Sequence, residues 1–425
     1  MKRKLDPMSL NHLRWVRMAL KTVGGWPGHA IDGRPHKVLC FTLFVAIECA
    51  LVIVGEILFI INRFHVVSFF ILGDVYISMA LSFVLLVRAS IPIFERYGII
   101  MREFIRHFHL IHFKYTGGHW EIIFEKINKL SHYFALFNIT LTAITAISFN
   151  IPPLYNSYTR GAFKKNRSEN ITLQFSVHYD WPGFEQEKHF IVASILNFWL
   201  SYACAFIICI MDLLLCLMVF QIIGHIQVLK HSLRNFPKPQ IQTNLQELST
   251  GEMNETRILI EVMQPFSGEE NECIENKIKE CVDHHLFIVS FAEDMSQFFG
   301  PLLAVNYSYH LFGLSLLLVE CMQGEEGAYT RYGPLTLITI AQLMLLSITF
   351  EIVASESEKL INEVYYVPWE YMSVSNQKSM CILLGRVQRP IHVTAMGMAD
   401  VGVQTMGQIL KTTLSYYAFL RTLNN

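Results

Sequence analysis

From Phe190 to Gly224 the chain runs for 35 residues with one charged side chain, Asp212. About 20 predominantly apolar residues cross the hydrocarbon core of a bilayer, where every backbone amide has to be bonded inside its own helix. The stretch therefore reads as a membrane span long enough to project beyond the bilayer. Five more apolar stretches of span length lie at 38–61, 66–87, 130–151, 298–319 and 335–353. A weaker one runs from Val403 to Leu420; it holds Lys411 and many small polar residues, so one side of it should face protein or water. The expected fold is all-α: a polytopic membrane protein of seven transmembrane helices forming a single domain over 1–425.

Composition supports this and excludes other classes. Hydrophobic residues make up 52% of the chain and charged residues 16%, against about a quarter charged in soluble domains. A net charge of -1, with no stretch interleaving arginine and aromatics, leaves nothing for nucleic acid to bind. There is no Gly-x-Ser-x-Gly elbow, phosphate-cradling glycine loop or His-Glu-x-x-His, so an enzyme is not expected. His284-His285, with Asp283 beside them, reads as a solvated or packed pair rather than a metal site. The nine cysteines show no Cys-x-x-Cys pairing and no disulfide framework.

Basic segments are held on the cytoplasmic side of a membrane. With the N-terminus inside, 25 of the 34 Lys and Arg fall in cytoplasmic segments, eight fall outside, and Lys411 lies in the last span. This orientation puts 1–37, 225–297 with its helical extensions, and 354–402 in the cytoplasm. The loop at 152–189 lies outside, as does the C-terminus beyond a last span at 403–422. The opening segment is basic but lacks the apolar core and cleavage site of a signal peptide, so it is expected to remain attached. Asn166 and Asn170, in the outer loop, begin N-glycosylation sequons. The sequons at Asn138 and Asn306 fall in spans and Asn254 in a cytoplasmic segment, so these read as chance matches. A G-protein-coupled receptor would need the opposite orientation. Its Asp-Arg-Tyr, Asn-Pro-x-x-Tyr and third-span cysteine are also missing.

The C-terminal third narrows the class. Tyr365, Trp369, Lys378, Leu383 and Leu384 precede Gln388-Arg389-Pro390-Ile391 and Thr394, and a closing helix reads Gln408-Ile-Leu-Lys-Thr-Thr-Leu-Ser-Tyr-Tyr-Ala-Phe-Leu-Arg421. This pattern resembles the insect odorant receptors. Their signature is an aromatic residue and a Trp before an intracellular helix, an apolar stretch ending near proline, and a last span with Ile-Leu-Lys, Ser-Tyr and Leu. The inverted topology, the long fourth-to-fifth connection and the length extend the resemblance over essentially the whole chain. Residues 390–401 look more particularly like moth pheromone receptors. The resemblance implies the ligand-binding subunit of a ligand-gated, non-selective cation channel, with no cofactor. Its partner would be the shared odorant coreceptor, in a heterotetramer around a central pore in the plasma membrane of a sensory-neuron dendrite. A gustatory-type receptor of the same superfamily, working without the coreceptor, is the neighbouring reading.

In the last span Gln404, Gln408, Thr412, Ser415, Phe419 and Thr422 recur at steps of three or four residues, which places all six on one helical face. The face is polar through its inner half and turns bulky and apolar at Phe419, as a wet conduit closed by a hydrophobic constriction requires. Helix packing through small side chains produces the same stripe, and periodicity does not separate the two. The resemblance puts the family's gate residues at Phe419 and Leu423, with Thr422 beside them and Tyr416 at the family's tyrosine. Phe419 departs from the coreceptor, which has a smaller Val.

The resemblance also implies a ligand pocket in the outer half of the bundle, lined by spans two, three, four and six. Mapped by orientation, the candidates are Phe69, Phe70 and Tyr76; Ile144, Thr145, Ser148 and Phe149; Ile195, Leu196, Trp199 and Tyr202; and Ile338, Thr339 and Gln342. Such a lining suits a volatile, mostly hydrocarbon ligand, each buried CH₂ contributing about 0.8 kcal/mol. Thr145, Ser148 or Gln342 would bond its one oxygen. For any single residue among them ordinary bundle packing is the readier account, and the expectation rests on the group. Ionisable residues in spans are functional candidates by default: Glu48, Glu56, Asp74, Asp212 and Lys411. Glu56 and Asp74 are expected to meet water in an outer vestibule, and Asp212 and Lys411 are candidates to pair across helices.

Overall fold

A helix that is apolar on every side has no face to give to water and is driven to the middle of the elements around it. The computed structural model, which describes residues 6–33, 35–67, 69–163, 173–248, 256–322 and 328–424, is arranged on that principle. Along the chain follow α1 (Asn11–Thr22), α2 (Pro35–Arg63), α3 (Phe69–Ser90), α4 (Glu95–Glu103), α5 (Gly118–Thr159) and α6 (Phe190–Arg234). A hairpin of β1 (Ile241–Leu248) and β2 (Thr256–Met263) precedes α7 (Gly268–Met322), α8 (Ala328–Glu358), α9 (Leu360–Tyr365) and α10 (Val374–Val387). The two-residue strands β3 (Thr394–Ala395) and β4 (Ala399–Asp400) lead into α11 (Val403–Asn424).

The apolar stretch that opened the sequence is α6, and it is buried at nearly every position from Ile207 to Leu229. Around it pack α1, α3, α5, α7, α8 and α9. The outer helices show the reverse pattern. On α5, Tyr133, Phe137, Ile144, Ile147, Ile151 and Tyr155 are all exposed at helical spacing. An apolar outer surface of that extent is what hydrocarbon, not water, would cover. Among the described residues α2, α3, α5, α6, α7 and α8 are long and apolar enough to cross a membrane; α11, where the seventh span is expected, is the more polar one.

Three helices overrun the apolar stretches that mark them. α5 begins at Gly118 and continues through Pro152-Pro153 to Thr159, α6 extends to Arg234, and α7 runs for 55 residues through Pro301. Hydropathy registers only the part of a helix that lies in lipid, so these polar extensions carried no span signal. The β1–β2 hairpin, antiparallel with Ile241 opposite Met263, is a small departure from an all-helical expectation. The alternation of Ile258, Ile260 and Val262 suits a strand.

At the end of the bundle bearing the N-terminus, the polar extensions, α1, α4 and the turns at 104–112 extend the same core with aromatic side chains. Phe108 stacks on Phe291 at 3.8 Å between ring centroids, and the Tyr97 hydroxyl donates to the Gly25 carbonyl at 3.2 Å. A Cβ on Gly224 would lie 2.3 Å from Leu110 Cδ1, so any larger residue there must move the Leu110 side chain aside. There the Gln221 side chain accepts from the Leu110 amide (3.1 Å) and His225 Nε2 bonds the Phe108 carbonyl (2.7 Å). Burial, and next the charge His132 would bring, hold His12 down to about 4. Burial pushes His109 far lower than an ordinary imidazole. These two imidazoles are therefore uncharged near neutral pH. The rim of this aromatic junction is tied by ion pairs from Lys230 to Glu356 (3.1 Å) and from Arg17 and Lys21 to Asp32 (2.8 and 2.7 Å).

Nearer the middle of the bundle, Arg88 of α3 is wholly buried and lies 2.9 Å from Asp212 of α6. Its Nη1 also donates to the Ile208 carbonyl at 2.5 Å. The pairing expected for Asp212, with Lys411, is corrected here: Lys411 is exposed on α11. Arg88 falls one residue past the apolar stretch 66–87, so hydropathy gives no sign that it lies inside the bundle. Asp212→Ala leaves the guanidinium buried without a counter-charge, a change that costs about 3–5 kcal/mol. Surface labelling of expressing cells should show a large loss of mature protein for that variant, and the double variant Arg88→Leu/Asp212→Leu should recover most of it.

Candidate functional site

In the half of the bundle away from the aromatic junction, six helices close around a cavity of about 160 Å³. Ile77, Ser78, Leu81 and Ser82 of α3 face Leu200, Ser201, Cys204 and Ile208 of α6. Residues of α2, α5, α7 and α8 complete the wall, and Ser176 and Val177 from the α5–α6 connection also line it.

The described part of that connection, 173–189, is folded down onto the helices as a lid. The Val177 carbonyl accepts from Asn197 Nδ2 (3.1 Å) and Gln186 Nε2 (3.2 Å). The Asp180 amide donates to the Gly55 carbonyl at 3.0 Å, the Trp181 indole to the Leu51 carbonyl at 3.3 Å, and Tyr179 is 2% exposed. Gly55 is what allows this: a Cβ there would stand 2.4 Å from Trp181 Nε1.

The cavity is mainly apolar, and most of its polar groups are already engaged. Thr145, Thr339 and Ser201 each donate at 2.8 Å to the carbonyl four residues back in their own helix, and Ser78 donates to Val75 at 3.1 Å. The Tyr332 hydroxyl donates to Asp74, and Gln342 Nε2 approaches Cys209 Sγ at 2.8 Å. Behind the wall, Glu56 is fully buried and accepts from Ser82 at 3.3 Å. Glu56 therefore meets a neighbouring helix rather than the water expected for it. Asn306 of α7 also lines the cavity, is 2% exposed, and its Nδ2 has no acceptor among the described residues.

Of the fourteen residues mapped for a ligand, Thr145, Phe149, Ile338, Thr339 and Gln342 lie on this wall. Ile144, Ser148 and Ile195 are exposed on the outside of the bundle. Leu196 packs beneath the lid with Val52, Tyr179 and Leu200. The Trp199 indole donates to Glu48 at 3.1 Å, and the Tyr202 hydroxyl pairs with Thr22 at 2.8 Å. Tyr76 is half-buried off the lining, and the side chains of Phe69 and Phe70, at the start of α3, fall outside the described part. Sequence reasoning missed the first and fifth spans, which contribute Cys49, Val52, Asn306 and Tyr309, and it missed the lid. A polar residue inside the fifth apolar span, Asn306, was a usable signal that its reading as a chance sequon passed over.

On α11, Gln404, Gln408, Thr412, Ser415, Phe419 and Thr422 are all exposed, while Ile409 and Thr413, on the side toward α7 and α8, are 8% and 2% exposed. The polar stripe thus faces away from the helix's own bundle, and Lys411 and Tyr416 are exposed with it. The Leu423 side chain, Asn166 and Asn170 lie outside the described residues. Among the described residues no group of His, Cys, Asp and Glu is arranged to hold a metal ion.

The geometry separates wall residues from outward ones, which mutation can check. Thr339→Leu and Phe149→Ala should move the half-maximal concentration of an activating volatile by about tenfold, the effect of about 1.4 kcal/mol. Ser148→Leu and Ile195→Ala should leave dose-response curves within about twofold.

The family model described as 7tm Odorant receptor matches residues 68–414. Odorant receptor 13a of Drosophila melanogaster is 24% identical over 177 residues, 37% of this chain and 42% of that protein. Odorant receptor 49a of the same fly is 25% identical over 146 residues, 33% of this chain and 36% of that protein. Odorant receptor Or2 of Anopheles gambiae is 18% identical over 150 residues, 35% and 40% of the two chains. The matched part of the chain thus spans less than half the length of these curated relatives. The solved insect olfactory receptor OR5 from Machilis hrabei superimposes with a TM-score of 0.71 over 96% of this chain and 97% of that one, at 13% identity. The same receptor in complex with eugenol gives 0.69 over 97% of both chains, at 12% identity. At that identity the likeness establishes the fold.

Proposed function

Because the chain belongs to the 7tm odorant receptor family, we propose that it is the ligand-binding subunit of a ligand-gated, non-selective cation channel, assembled with the shared odorant coreceptor. The observation that carries this reading is the outward polar stripe of α11. Polar residues on the outer surface of a membrane bundle are costly in lipid, so this stripe is best matched by other subunits and by water between them. Phe419, 59% exposed at the far end of the stripe, supplies the bulky apolar group of a constriction. The lidded cavity is the binding site, and it suits one small, mostly hydrocarbon volatile. The likeness of 390–401 to moth pheromone receptors makes pheromone-like volatiles the first class to test. The orientation follows the basic residues: N-terminus in the cytoplasm, lid and C-terminus outside, in the plasma membrane of a sensory-neuron dendrite.

Cells expressing this chain with the coreceptor should pass cation current when given an activating volatile, and cells expressing either alone should not. Ligand-gated current from this chain alone would favour the gustatory-type reading instead. For the pore, the background is a protein in which the exposed Cys40, Cys273 and Cys381 are changed to Ser. There, Ser415→Cys should be modified by a charged, water-soluble thiol reagent with loss of current, faster when ligand is present. Thr413→Cys, on the buried side, should be unaffected; equal reactivity at the two positions would remove the stripe from the pore.

A further inference from the structure

We propose that Asn306 is the hydrogen-bond donor that recognises the ligand, and that the ligand class is an apolar molecule bearing a carbonyl oxygen, such as an aldehyde or ketone. This inference rests on the reading of the cavity as a ligand site and specifies what that site selects.

A buried carboxamide ordinarily finds partners for its N–H groups, because leaving them unpaired forfeits the hydrogen bonds they made in water. Asn306 breaks that pattern while standing on the cavity wall: its Nδ2 is buried and meets no acceptor among the described residues. Asn150 of α5, by contrast, donates its Nδ2 to the carbonyl four residues back in its own helix at 2.9 Å, a bond that Asn306 does not make.

The neighbouring polar groups explain why this one residue decides. The hydroxyls of Ser78, Thr145, Ser201 and Thr339 have committed their hydrogens to backbone carbonyls of their own helices. They offer lone pairs to the cavity but no donor. Tyr332 spends its hydrogen on Asp74, and Gln342 directs its amide at the Cys209 sulfur, a weak acceptor. A ligand hydroxyl therefore has several groups to donate to. A ligand carbonyl, which can only accept, finds in the Asn306 amide a lining donor that is both buried and unpaired among the described residues.

A polar site built to bond one group discriminates strongly against an analogue that lacks it. Selectivity between matched compounds is accordingly the measurement. The co-expressed channel would be given hexanal, 2-hexanone, hexan-1-ol and hexane, with surface labelling of each variant. Wild type should respond to hexanal and 2-hexanone at concentrations about tenfold or more below hexane. Asn306→Leu should erase that advantage while leaving the response to hexane intact and moving hexan-1-ol by only about twofold, and Asn306→Gln should restore part of it. If Asn306→Leu fails to reach the surface, Asn306→Ala removes the amide without adding bulk and should show the same loss. A wild type that responds to the series without preferring the carbonyl compounds, or an Asn306→Ala that keeps the preference, overturns the assignment of Asn306 alone. A wild type silent to the whole series while another volatile class opens the channel overturns the carbonyl class. Silence to every volatile, with the protein at the surface, overturns the cavity reading itself.

Discussion

The arrangement of this protein depends on one helix having no outside. Because α6 carries an apolar residue almost everywhere over more than 20 positions, every one of its faces has to be covered, and the other spans are placed by that need. The same helix is longer than a bilayer is thick, so its far end leaves the membrane and becomes the centre of the aromatic junction around Phe108, Phe291 and His225. One continuous rod thus joins the cavity half of the molecule to the opposite half, and α7 runs beside it in the same way. A displacement at Leu200 or Cys204 has a rigid element through which to be felt at Gln221 and Lys230.

The cavity exists because that close packing is interrupted where small or polar residues meet. Ser78, Ser82, Ser201, Cys204 and Ala205 bring little volume to the place where α3 and α6 face each other. The lid closes the gap from the other side, docked on α2 beside Gly55, where the missing side chain leaves room for the Trp181 indole. Space, closure and polarity come from different parts of the chain. No single element would announce itself as a binding site.

This division also explains what could be read in the sequence. The spans were legible because length and apolarity are properties of a segment by itself. Helix ends such as Thr159 and the start of α7 at Gly268 were not, since a helix continuing into water loses its apolar signature. Rotation was the harder problem. α5 and α6 are apolar almost all round, so nothing in their pattern said that Ser148 and Ile195 would point outward and Thr145 inward. α11 has a polar side, and its stripe fixed the rotation: the six residues that share a face by spacing share the exposed face in the structure. Arg88 was lost to a boundary one residue wide, and the buried pair with Asp212 was lost with it.

The outward stripe of α11 has a consequence for how the protein is made. Each newly inserted copy carries Gln404, Gln408, Thr412 and Ser415 on a surface that hydrocarbon cannot solvate. Its last helix is therefore the least settled of the seven until something covers it. Partner subunits provide that cover under the proposed assembly, so an orphan copy is marked as unfinished by its own surface. Retention in the compartment where it was synthesised, and release only after assembly, would then need no dedicated signal sequence.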